Sequence, residues 1–73
     1  SGKIEDCTYG IYAIYDSSSN PSDGTITGTT ISGNPTMYLK GYDEDNKTIF
    51  VYSSLSGGYT VDEDDFGEWN PLV

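Results

Sequence analysis

Thr36-Met37-Tyr38-Leu39-Lys40-Gly41-Tyr42-Asp43-Glu44-Asp45-Asn46-Lys47-Thr48-Ile49-Phe50-Val51-Tyr52-Ser53 decides the reading of this chain. Thr36 to Tyr42 alternates, with Met37 and Leu39 on one face and Tyr38, Lys40 and Tyr42 on the other; that period of two belongs to a strand. Asp43 to Lys47 is a polar, charged interruption of turn length, and Thr48 to Ser53 is again β-branched and aromatic. Two such runs joined by a short charged loop predict a hairpin.

Working outward, Cys7 to Tyr15 (Cys-Thr-Tyr-Gly-Ile-Tyr-Ala-Ile-Tyr) predicts a further strand with apolar groups on both faces. Asp16 to Gly24 consists of turn formers and predicts an exposed loop. Thr25 to Ile31 alternates Thr and Ile around Gly28, which marks a bulge or a close approach. Ser32-Gly33-Asn34-Pro35 and Leu55 to Gly58 are turn signals, and Tyr59 to Val61 is a short fifth strand. Asp62-Glu63-Asp64-Asp65-Phe66 reads as one helical turn, its acids favoured at the N-terminal end. Phe66 and Trp69 would pin that turn to the body, and Pro71 would stop it.

The 73 residues make one domain, 1–73, whose first two residues, Ser1-Gly2, read as a cloning remnant or the cut end of something longer. A chain this short buries only about 60% of its unfolded surface, so its stability margin is thin. Its aromatic content of 14% and its β-branched runs favour folding over the disorder that high net charge can bring. Four or five short strands with no amphipathic helix predict an all-β fold. The economical form is a small antiparallel barrel, SH3-like, with a short C-terminal helical turn, because closure removes exposed edges. The expected core is Ile11, Ile26, Ile31, Met37, Leu39, Ile49, Val51 and Val61, with Cys7 as a small core residue of the first strand.

Ala13-Ile14-Tyr15-Asp16 followed by a long polar loop resembles the opening of SH3 domains. The paired tryptophans with which such domains grip proline-rich peptides are absent, and the lone Trp69 lies near the C-terminus. The chain is therefore assigned to no family.

Charge sets the functional expectation. The formal net charge is −9, with 12 acids against 3 lysines and no His or Arg. Eight of the acids fall after Tyr42, beside Lys47 alone. Such a surface repels nucleic acid and anionic membrane and attracts basic partners. Without His or Arg, the usual general base and oxyanion clamp are missing, so the expectation is a non-enzyme. Asp62-x-Asp64 with Gly67 weakly resembles a calcium loop, but Phe66 and Val73 stand where ligands belong, and no metal or other cofactor is expected. One Cys and no His leave no structural zinc site, and no internal disulfide. No run is apolar enough to span a membrane, and no leader opens the residues present, so the cytoplasm is the default compartment.

Partner recognition remains. The expected contacts are Asp43, Glu44, Asp45, Asp62, Glu63, Asp64, Asp65 and Glu68, with Tyr42, Tyr59 and Trp69 as aromatic anchors. The leading reading is an acidic protein–protein interaction module, a monomer or weak homodimer, that meets a basic protein. It includes an inhibitor whose carboxylates mimic the phosphates of nucleic acid. The alternatives are an aromatic-cage reader of lysine or methyl-lysine peptides and a purely structural module of a larger protein.

Overall fold

The computed structural model describes residues 2–17 and 21–72, and in them the chain is all-β. Eight strands follow in order: β1 (Gly2–Ile4), β2 (Tyr9–Ile14), β3 (Gly24–Thr27), β4 (Thr29–Ile31), β5 (Thr36–Lys40), β6 (Thr48–Ser53), β7 (Thr60–Glu63) and β8 (Gly67–Pro71). Every pairing between them is parallel. The strands form three separate sheets, ordered β1-β4, β2-β5-β7 and β3-β6-β8. The chain thus winds through three stacked rungs, β1-β2-β3, then β4-β5-β6, then Ser56-β7-β8, with Ser56 bridged in parallel to Thr30. This is a short three-sided β-solenoid.

The antiparallel SH3-like barrel is accordingly corrected. The runs around Asp43–Lys47 are strands, but β5 and β6 do not pair with each other; the intervening residues turn a corner between two sheets. The interval Thr25 to Ile31 is two strands, broken where Gly28 takes a φ of 64°. Ser54, at the corresponding corner one rung on, takes a φ of 55°. There is no C-terminal helical turn: Asp62 and Glu63 end β7, and β8 resumes at Gly67. β1 was not anticipated, and Gly2 within it stands in register with Thr29. Residues 18–20 of the predicted 16–24 loop, and Ser1, lie outside the described residues.

The core runs up the inside of the rungs. Met37 and Leu39 are fully buried in the middle strand, with Ala13 below and Val61 above in register. Ile31 closes the β1-β4 side over Ile4. On the third side Thr48 is fully buried, and strand alternation puts the half-buried Phe50 and Tyr52 on the same inward face. The Tyr52 ring stacks on Trp69 at 4.9 Å, and Trp69 meets Tyr59 edge-on at 5.6 Å across the interior. Ile49 and Val51, expected in the core, alternate outward with Thr25, Thr27 and Ser53; the Ser53 and Thr27 hydroxyls bond there at 2.9 Å. Cys7 is exposed and precedes β2, its thiol donating to the Glu5 carbonyl at 3.2 Å.

Candidate functional site

Stacked rungs place their corners above one another. The corner of the second rung joins β5 to β6 and carries Asp43, Glu44 and Asp45; that of the third joins β7 to β8 and carries Asp64 and Asp65. Backbone hydrogen bonds tie the two together, from Asp64 N–H to the Leu39 carbonyl and from Thr48 N–H to the Phe66 carbonyl. Asp23 ends the first rung's turn at the same corner, and its carboxylate accepts the Ile49 N–H at 2.8 Å. Acids separated in sequence are thereby gathered into one ridge.

One Asp in each rung is structural. Asp43 Oδ1 accepts the Asp45 N–H at 3.0 Å and the Asn46 amide at 2.7 Å. Asp64 Oδ1 accepts the N–H groups of Gly41 at 3.1 Å and Phe66 at 2.9 Å, bridging two rungs. Corner turns leave such backbone donors without ladder partners, and a carboxylate satisfies them strongly. Asp64→Ala should therefore lower stability by about 1–3 kcal/mol. Asp65→Ala, which loses no such bond, should stay within about 0.5 kcal/mol of the parent. Urea denaturation of the two variants checks this, and equal midpoints would refute the structural role.

The other predicted acids divide. Asp62 pairs with Lys40 at 3.1 Å, and Glu68 with Lys47 at 3.3 Å and with the Asn70 amide at 3.1 Å. The Asp62 hydrogen bond and charge raise the Lys40 pKa above its ordinary value. The bond from Asn70, then that from Lys47, lowers the Glu68 pKa. The Glu68 contribution is thus present above the ordinary carboxylate range and is lost as pH falls through the lowered value. That of Lys40 is present below the ordinary lysine range and is lost as pH rises through the raised value, so both hold at neutral pH. Glu44, Asp45, Glu63 and Asp65 are exposed, and their carboxylates have no partner among the described residues.

Of the predicted aromatic anchors the structure brings Tyr59 and Trp69 together and leaves Tyr42 apart. Tyr42 is 53% exposed at the start of the ridge corner. Trp69 and Tyr59 are instead half-buried partners at the last rung, the indole N–H donating to the Tyr59 hydroxyl at 3.3 Å. The exposed aromatic group lies elsewhere, on the outer face of β2 and β5. Tyr12 stacks on Tyr38 at 4.7 Å, and Tyr9 packs edge-on against both. Tyr9 and Tyr12 are 47% and 60% exposed, and the Lys40 ammonium sits 4.8 Å from the Tyr38 ring centre. Sequence reading missed this cluster as a site. Its signal was the matching of Ile11-Tyr12-Ala13 with Met37-Tyr38-Leu39, which the register pairs residue for residue.

The Asp62-x-Asp64 spacing forms no calcium loop, since the two carboxylates go to Lys40 and to backbone amides. No group of three or more potential metal ligands converges among the described residues. A cavity of about 330 Å³ opens between β1 and β3, lined by Lys3, Ile4, Thr25, Ile26, Thr27 and Thr29. No helix among the described residues is long and apolar enough to cross a membrane. Compared with protein-family models, curated proteins and solved structures, the chain matches none of them.

Proposed function

We propose that this chain is a non-enzymatic binding module that meets a basic protein surface through its acidic ridge. The observation that carries the reading is the placing of Glu44, Asp45 and Asp65 at one corner of two adjacent rungs, with Glu63 at the end of β7 beside them, four carboxylates without partners among the described residues. Rungs of a parallel sheet stand about 4.8 Å apart. Unpaired charges so close repel one another, and a Lys- or Arg-rich partner relieves that repulsion while being steered in from a distance. The same row can stand in place of phosphates before a nucleic-acid-handling protein, which is the inhibitor form of the reading.

The test is titration of a labelled Lys/Arg-rich peptide at about 50 mM and about 500 mM salt, where screening differs severalfold. Binding should weaken sharply with salt. It should be largely lost in the variant Glu44→Gln, Asp45→Asn, Glu63→Gln, Asp65→Asn, and be kept in Glu5→Gln, Asp6→Asn at another corner. Equal binding by the two variants would sink the ridge as the contact. Competition by short duplex DNA for a captured basic protein then separates phosphate mimicry from general charge attraction.

A lysine reader is the second reading, favoured by Lys40 resting on Tyr38. It draws on Tyr9, Tyr12 and Tyr38 in place of Tyr42, Tyr59 and Trp69. Under that reading Tyr12→Ala abolishes peptide binding while the ridge variant keeps it.

A further inference from the structure

We propose that the molecule stacks head to tail on a second copy of itself, the third rung of one copy docking on the first rung of the next, and that its charge holds this contact off at low salt. This goes beyond the basic-partner reading and does not rest on it.

Among the described residues neither end of the solenoid is capped. β1, β2 and β3 each pair on one side only, and so do β7 and β8. Thr60 and Asp64 donate their N–H groups into the second rung, to the Pro35 and Leu39 carbonyls. Alternation along a parallel strand therefore turns the N–H groups of Val61 and Glu63 to the free edge. At the other end Gly28 donates to the Ser53 carbonyl, which turns those of Thr25 and Thr27 outward to the free edge. One edge carbonyl, that of Ile14, is taken by the Ser22 hydroxyl at 2.9 Å. Pro71, with no N–H to offer, closes the far end of β8.

A second copy is the occupant these edges fit, because the contact would repeat the interface that already joins the rungs within the chain. Its register would continue the observed columns: Ile11 of the next copy after Met37 and Val61, Gly24 after Phe50 and Trp69, and Ala13 after Leu39 and Glu63, the last of which brings a carboxylate to the contact. Both faces also carry apolar groups: the last rung presents the half-buried Tyr59 and Trp69, and the first presents Ile4 and Ile26 at the mouth of the 330 Å³ cavity. The molecule measures 32 × 27 × 18 Å. Its broad faces are on the scale of the ~800 Å² per partner that a standard interface uses.

Charge opposes the contact. The third rung holds Asp62, Glu63, Asp64, Asp65 and Glu68 with no lysine, and the first holds Glu5, Asp6, Asp16 and Asp23 against Lys3. Screening shortens the reach of that repulsion to about 3 Å at 1 M salt. Salt therefore promotes stacking, whereas it weakens binding to a basic partner. The two proposals fail separately. A heterologous contact of this kind propagates into open chains.

Sedimentation velocity over a concentration series, at about 50 mM and about 500 mM salt, tests it with two edge variants. Glu63→Pro removes an N–H from one end and Thr25→Pro from the other. The wild type should grow with concentration at high salt, each variant alone should remain monomeric, and their equimolar mixture should stop at a one-to-one dimer joined through the two intact ends. A folded wild type that stays monomeric at high salt would overturn the proposal, as would growth that both variants retain. Circular dichroism verifies that the variants fold. If either does not, small-angle scattering of the associated wild type decides: stacking of the broad faces supports the proposal and side-by-side packing overturns it.

Discussion

Leu39→Ala is expected to remove most of the stability of this protein. Leu39 is fully buried in β5, the middle strand of its sheet, in register with the buried Ala13 of the rung before. Truncation there loses the transfer free energy of the side chain and leaves a void that strands on either side prevent from closing, about 2–5 kcal/mol. Small domains hold a total of roughly 5 kcal/mol or a little more. Val51→Ala is the control. Val51 was expected in the core beside Leu39, but it alternates to the outer face with Thr25 and Asn70 as its register partners. Its replacement should cost under about 1 kcal/mol. Urea denaturation of both variants measures the difference, and equal losses would mean that the faces of β6 are inverted.

Gly57→Ala should be of similar severity by a different mechanism. Gly57 holds a φ of 100°, which L side chains rarely adopt, and a Cβ at this position would collide with the Ile31 carbonyl oxygen. That carbonyl belongs to the rung below, so relief requires the third rung to lift away from the second. Backbone strain alone accounts for about 1–3 kcal/mol, and the collision adds to it. Gly33→Ala separates the two contributions. Gly33 has a φ of 85°, but its Cβ would meet nothing closer than the Asp6 nitrogen at 3.8 Å. It should lose only the conformational part, about 1–2 kcal/mol. A thermal melt in which both variants fall equally would show that the collision is relieved by local adjustment.

Strand positions were legible because they rest on local chemistry. The intervals Tyr9–Ile14, Thr36–Lys40 and Thr48–Ser53 announce themselves through β-branched and aromatic residues, and a period of two is the same whether the neighbour runs parallel or antiparallel. The partner of each strand was therefore not legible from its own residues. Reading Asp43–Lys47 as a hairpin assumed that consecutive strands pair, and here consecutive strands belong to different sheets. A signal did exist. Ser32-Gly33 followed by Thr36-Met37 returns as Ser56-Gly57 followed by Thr60-Val61, and self-similarity at a fixed interval marks a repeat architecture. The shorter third rung and the substitution of acids for Tyr38 and Lys40 blur it. The helical turn predicted over Asp62–Phe66 failed for the same reason: its acids favour a helix N-terminus locally, but β5 offers a complete ladder that β7 takes.

The sequence by itself determined that the chain is acidic, all-β and built of short strands, because charge, β-propensity and turn chemistry are properties of single residues and near neighbours. Only the tertiary structure decided that Asp43–Asp45 and Asp64–Asp65 share one corner, that Tyr12 stacks on Tyr38, and that Trp69 turns inward to Tyr52 and Tyr59. The physical reason is that stacking rungs brings into contact residues a whole turn of the solenoid apart, and the register of that stacking is set by the backbone ladders and the buried Met37 and Leu39.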